Sequence, residues 1–302
     1  MRHGFFRPPT HTILRGAVDA SGQILAVDQA TASGDILWGF EAIPGGDVTR
    51  ALLGFDPGVL IGQFLHYTVP HYRVANTQVG LPVPTGPWRG LGLYANIFAL
   101  ESFVDELAHA ARIDPLVFRL RHLPASEEGR RMRRVLEAAA ERAGWATPPP
   151  AGRARGVACS VDVHTVVAQI AEVSIHEGAI QVHRVTAAVD PGLVMHPQGA
   201  ISQAQGSIMM GLSSALRERL TVADGMVREN NFAGYPLLTL GETPEIEVVL
   251  LESGDTPFGM GEPVIGPTAA AVANAVFACT NQRLRSLPLT LQDDPPSEGD
   301  NP

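Results

Sequence analysis

Between Tyr94 and Arg112 the apolar residues Ile97, Leu100, Phe103, Val104, Leu107 and Ala111 recur at intervals of three and four, which predicts one amphipathic helix. Asp114-Pro115 then restarts the chain. Asp suits an N-cap and Pro the first helical position, so a short second helix follows with Val117, Phe118 and Leu120. A third runs from Ser126 to Ala143 and stops at Gly144. Ala200, Ile201, Ala204, Ile208, Met209, Leu212 and Leu216 keep helical spacing within a longer helix, His196 to Arg219, and a last helix spans Thr268 to Asn281.

Strand-like runs flank these helices. Ile13 to Val18 and Gln23 to Ala30 join at Asp19-Ala20-Ser21-Gly22, a hairpin loop by composition. From Thr31 to Val79 the pattern fades into loops and short strands. Val166 to Ile175 and Ala179 to Val189 enclose Glu177-Gly178, a second hairpin. Leu220 to Val222 and Met226 to Arg228 enclose a third, and Glu245 to Glu252 is a strand with an apolar centre. Trp145 to Arg155 carries Pro148-Pro149-Pro150 and Gly152 and reads as a linker. The expectation is an α+β chain with a first subdomain at 1–147, a second at 156–290 and a disordered tail at 291–302.

With 302 residues, 45% hydrophobic and 18% charged, the chain has enough apolar material for a globular core. Its formal charge of −9 offers no electrostatic footprint for a nucleic-acid backbone. Arg130, Arg131, Arg133 and Arg134 are therefore read as a solvated helix face rather than an anion site. Two cysteines, Cys159 and Cys279, cannot supply the thiolates of an iron–sulfur cluster or a Cys-built zinc site. Low cysteine usage suits a reducing compartment, and no run of 18 consecutive apolar residues or signal-peptide pattern is visible. A cytoplasmic chain with no membrane span is expected.

Common catalytic motifs are absent: there is no G-x-S-x-G, no H-E-x-x-H and no Walker A loop, and the ten histidines include no i, i+4 pair. Two glycine-rich segments run into helices instead. In the first, Gly90, Gly92 and Ala95 match G-x-G-x-x-A, with Asp114 at the distance of a ribose contact, but the proline-rich residues before it cannot form a Rossmann strand. Either a structural turn or an anionic ligand resting on free helix N–H groups beside Arg89 would explain it. In the second, Glu262 stands between Gly259, Gly261, Pro263 and Gly266. A carboxylate held so rigidly suits a general base, and a solvent-facing loop residue is the plainer alternative.

The run Gly261-Glu262-Pro263 through Pro267-Thr268-Ala269-Ala270-Ala271-Val272-Ala273-Asn274-Ala275, ending Arg283-Leu284-Arg285-Ser286-Leu287-Pro288, resembles the C-terminal signature of the molybdenum-binding large subunits of the xanthine oxidase/aldehyde oxidase family. So do Val189-Asp190-Pro191-Gly192, His196-Pro197 and Gln203-Ala204-Gln205-Gly206. Pro87-Trp88-Arg89-Gly90-Leu91-Gly92, Glu101-Ser102-Phe103-Val104-Asp105-Glu106, Asn231-Phe232, Tyr235-Pro236 and Pro244-Glu245-Ile246-Glu247-Val248 are similar to the isoquinoline 1-oxidoreductase β-subunit branch. The similarity extends from about Phe5 to Pro288.

That resemblance implies two subdomains of mixed sheets flanked by helices. It also implies a hydroxylase in which molybdenum–molybdopterin, in its bare or its cytosine dinucleotide form, delivers a water-derived oxygen to an N-heterocycle or an aldehyde. Glu262 falls on the family's catalytic glutamate, Gln203 on a glutamine that hydrogen-bonds the pterin, and Trp88, Arg89, Gly90 and Gly261 on backbone and side chains beside the cofactor. Leu91 stands at a substrate-pocket position where some relatives carry an aromatic residue. No side chain of the family ligates the metal, and electrons leave to 2Fe-2S clusters on a separate iron–sulfur small subunit. Family subunits of this branch are more than twice as long as this chain. It is thus expected to be a C-terminal half, active only with an N-terminal half encoded separately, or a truncation or non-catalytic remnant that folds and binds a partner. A nicotinamide-dependent dehydrogenase built on Gly90-x-Gly92 is the third alternative.

Overall fold

The computed structural model describes residues 5–38, 52, 54–81, 83–254 and 256–291. The tail expected at 291–302 lies, apart from Leu291, outside them. Strand β1 (Thr10–Val18) pairs antiparallel with β2 (Ile24–Ser33). The turn between them is closed by Asp19, whose Oδ1 accepts the N–H groups of Ser21 (2.8 Å) and Gln23 (2.9 Å). β3 (His71–Gln78) then joins β2 in parallel. Its sequence, HYRVANTQ, has little apolar alternation, so the strand is set by its neighbour rather than by its own pattern.

Of the three helices in the first half, the second and third begin at side-chain caps. α1 (Leu93–Ala110) is followed by α2 (Pro115–His122), whose N-cap Asp114 accepts the N–H groups of Leu116 and Val117. α3 (Glu127–Ala143) is capped by Ser126 and ends on Gly144 at φ 68°. The expected linker is shorter than its composition suggests, because β4 (Arg153–Asp162) begins inside it. β4, β5 (Thr165–His176) and β6 (Ala179–Asp190) are antiparallel neighbours. α4 (Pro197–Leu216) and a small ribbon, β7 (Val222–Ala223) with β8 (Met226–Val227), precede β9 (Glu245–Leu250), which pairs parallel with β6. α5 (Thr268–Thr280) is the last helix among the described residues. These are mixed sheets with flanking helices, as the sequence predicted.

The second sheet is buried on both faces. Val167, Ala171 and Val173 of β5 join the cluster containing α4 and α5, while the alternate residues Val166, Ala168 and Ile170 join the cluster of α1 and α3. β5 therefore reads as a continuous apolar run. Gly156 lets β4 approach α5: a Cβ there would lie 2.1 Å from the Ala275 nitrogen. The stretch Pro263–Thr280 is apolar enough to cross a membrane by length and composition, but 78% of it is buried within the fold, as a core helix is.

One arginine of α3 departs from the sequence reading. Arg131 is not on a solvated face: its Nε donates to Asp190 Oδ2 (3.1 Å), its Nη2 to Asp190 Oδ1 (3.0 Å), and its Nη1 to the His164 carbonyl (2.8 Å). A buried carboxylate at the end of β6 pulls that single position inward while Arg130, Arg133 and Arg134 stay at the surface.

Candidate active site

The segment around Glu262 is fixed from four directions. The Phe258 N–H donates to the Pro191 carbonyl (2.8 Å), and Thr165 Oγ1 at the start of β5 donates to the Gly259 carbonyl (2.6 Å). Arg89 Nε donates to the Gly261 carbonyl (2.6 Å), and Gln169 Nε2 from the buried face of β5 donates to the Val264 carbonyl (2.6 Å). The Pro191 end is itself locked, because Asp190 Oδ1 accepts the Gly192 N–H (3.1 Å) while held by Arg131. Pro263 opens a single 3-10 turn, Pro263–Ile265, that delivers the chain into α5. Glu262 is thus half-buried at the mouth of a rigid loop.

Against this loop lies the first glycine-rich segment. The Gly90 N–H donates to Glu262 Oε1 (3.1 Å). Gly90 sits at φ 86°, and a Cβ there would fall 2.6 Å from Ile265 Cγ2, so both conformation and space require glycine. Arg89 reaches further, with Nη2 donating to the Gln203 carbonyl (3.3 Å) and Oε1 (3.4 Å) and Nη1 to Met210 Sδ (3.3 Å). The structure therefore brings together five of the residues singled out from sequence: Arg89, Gly90, Gln203, Gly261 and Glu262. Trp88 and Leu91 flank them, Trp88 exposed and Leu91 half-buried at φ 40°.

Two of the alternatives raised for the first glycine-rich segment are not carried by the structure. The amides at the start of α1 are not free for an anion: Gly90 N–H goes to Glu262, Leu91 N–H to the Trp88 carbonyl (2.7 Å), Gly92 N–H to the Gly58 carbonyl (3.1 Å) and Leu93 N–H to the Gly90 carbonyl (2.6 Å). No strand leads into Gly90, and the Asp114 carboxylate is spent on capping α2 and on Trp145 Nε1 (3.1 Å). The dinucleotide reading has no support in this geometry.

Other residues of the site carried no sequence signal. Asp162, at the end of β4, is half-buried beside the loop; burial first, and then the Glu262 charge, raise its carboxyl above the ordinary value. The turn after it, Val163-His164, has both residues at positive φ (41° and 64°), and Val163 packs on Gly259 while the His164 ring lies 5.2 Å from Phe258. A β-branched residue at positive φ is costly unless its surroundings fix it, and here the Glu262 loop does. Burial lowers the pKa of the Arg89 guanidinium and Glu262 opposes that; Arg89 stays cationic at neutral pH.

Residues 106–244 match the molybdopterin cofactor-binding domain, so the class of protein defined by this fold and site is a molybdopterin-binding one. The chain is 36% identical to the isoquinoline 1-oxidoreductase β subunit of Brevundimonas diminuta, over 78% of this chain and 30% of that one. It is 30% identical to a membrane-bound aldehyde dehydrogenase (pyrroloquinoline-quinone) of Gluconacetobacter polyoxogenes, over 97% of this chain and 40% of the relative. Among solved structures, quinoline 2-oxidoreductase from Pseudomonas putida 86 shares the fold with a TM-score of 0.76 at 14% identity, covering 92% of this chain and 60% of that one. The chain belongs to the xanthine oxidase/aldehyde oxidase family of molybdenum-binding subunits. It spans 30 to 40% of the length of these two curated relatives.

Proposed function

We propose that this chain is the part of a molybdenum hydroxylase subunit that carries the catalytic base, Glu262, and one wall of the cofactor site. The observation that carries this reading is the convergence of Glu262, the Gly90 amide, Arg89 and Gln203 from three separate segments. The residues suit a pterin. Gly261 has no atom within 4 Å of where a Cβ would stand, and at Gly206 only Arg89 Nη1 comes as near as 4.0 Å, so backbone lies bare on both sides of a guanidinium and a carboxamide. A flat, hydrogen-bonding ring system needs that combination of open backbone and fixed polar groups. Arg89, Gln203 and Gly261 would hold it, with Trp88 and the Gly90 turn, a cofactor-side position by resemblance, alongside.

When bound, the cofactor would supply the redox chemistry for transferring a water-derived oxygen to the substrate carbon. The chain's own contribution is acid–base. Glu262 Oε1 is oriented by the Gly90 N–H, which leaves its other oxygen to take the proton of the attacking oxygen nucleophile. Arg89 keeps a positive charge beside that carboxylate and ties it to α4, so the base and the pterin-binding glutamine move as one unit. Leu91 would line the substrate pocket, accepting an N-heterocycle or an aldehyde. The cytosine dinucleotide form of the cofactor, 2Fe-2S clusters on an iron–sulfur small subunit, and an N-terminal half of the subunit complete the proposal. So do the subdomain limits 1–147 and 156–290. A cytoplasmic setting is supported by two free thiols, Cys159 and Cys279. A non-catalytic remnant is not favoured, since the relatives are named oxidoreductases. Turnover of the assembled, molybdenum-loaded complex with E262Q is the test: loss of activity at unchanged metal content supports the reading, and retained activity overturns it.

A further inference from the structure

Arg7 lies far from Glu262 in sequence, yet one peptide bond separates their hydrogen bonds. Arg7 Nη2 donates to the Arg89 carbonyl (3.3 Å), and the N–H of the same peptide unit, that of Gly90, donates to Glu262 Oε1 (3.1 Å). The guanidinium is held in place by the Tyr94 ring, with 4.4 Å from its central carbon to the ring centroid. Tyr94 in turn donates its hydroxyl to the Gly211 carbonyl of α4 (2.7 Å). Arg7 Nη1 is buried and has no hydrogen-bond partner among the described residues. Glu218, whose charge also bears on Arg7, accepts from Ser214 Oγ (3.1 Å) and Tyr235 OH (2.8 Å) through its Oε2. The Arg89 carbonyl is the hydrogen-bond acceptor on which the Arg7 guanidinium rests.

We propose that Arg7 is a positioning residue for Glu262, acting through the Arg89–Gly90 peptide. It grips the carbonyl, fixes the peptide plane, and polarises it so that the amide proton offered to the carboxylate is a stronger donor. The physical basis is peptide resonance: electron density drawn toward the carbonyl oxygen leaves the nitrogen more positive and its proton more acidic, so the two hydrogen bonds reinforce each other. Lysine cannot replace arginine here, because a point-like ammonium cannot stack on Tyr94 and present a planar N–H to the carbonyl together. The proposal rests on the reading of Glu262 as the base.

The full chain tests it without cofactor. Labelling arginine with ¹³C at the carbonyl and glycine with ¹⁵N selects three peptide units in this sequence: Arg15–Gly16, Arg89–Gly90 and Arg155–Gly156. In R7K and R7Q the Gly90 amide proton is expected to move upfield and exchange with solvent faster, while Gly16 and Gly156, both inside strands, stay in place. E262Q should move the same Gly90 resonance. A Gly90 signal unchanged in both Arg7 variants but shifted in E262Q overturns the proposal. Should neither variant fold, the unsubstituted chain decides: slow exchange of the Arg7 side-chain protons supports it, and exchange as fast as that of the exposed Arg15 overturns it. In the assembled enzyme R7K should lower kcat with KM unchanged. A shifted Gly90 signal together with full turnover of E262A would leave the coupling intact and remove the assignment of the base instead.

Discussion

Asp190 shows how a single residue fixes the site from a distance. Burial alone pushes its carboxyl up, but hydrogen bonds from Arg131, Ser253 and the Gly192 N–H outweigh that and hold its pKa below the ordinary 3.8. A carboxyl with a depressed folded pKa contributes stability that is present above the unfolded value and lost as pH falls through the folded one. R131M removes the closest cation and leaves the buried carboxylate with Ser253, the Gly192 N–H and the half-exposed Arg134, whose Nη1 stands 4.0 Å away, a change that costs about 2 to 3 kcal/mol near neutral pH. Urea melts of the chain and R131M from pH 7 down to about 3 should show that gap narrowing as the medium becomes acidic. A gap independent of pH would mean that Asp190 is not the linked group. Arg131 was invisible in sequence because four arginines in five positions carry no label for the one that turns inward; only the end of β6 supplies it.

At the scale of elements, helices were legible and strands less so. Asp114, Ser126 and Gly144 mark helix ends by their own chemistry, and the structure places caps at those residues. β4 was lost because Gly156, Ala158 and Ser160 are small, and small residues give no hydrophobic pattern where backbone packs on backbone. Gly156 is the clearest case, its Cα facing the Ala271 carbonyl and Ala275 nitrogen of α5. G156A should therefore push β4 from α5 and destabilise the chain by about 1 to 3 kcal/mol. The same substitution at Gly178, where no atom lies within 4 Å, meets no obstacle of space and costs only the strain of its φ of 74°. Thermal melts of the two variants separate the effects, and a G156A midpoint no lower than that of G178A would contradict the close approach.

Over the whole molecule, the site is a meeting of parts distant in the chain. Arg89 links to Gln203 and Gly261, residues 114 and 172 positions away. Motif reading found each segment, but their contact follows only from the sheet that sets α4, α5 and the α1 entry side by side. R89A should release this junction, and the assembled complex should then retain less molybdenum per subunit than the parent, measured by metal analysis. Equal metal content would show that Arg89 does not bear on the cofactor. The central claim concerns Glu262, and steady-state turnover of the E262Q complex at matched molybdenum content tests it most directly. A fall in kcat of about a hundredfold or more, the usual contribution of a positioned general base, is the predicted result. Turnover equal to that of the parent complex would contradict the account.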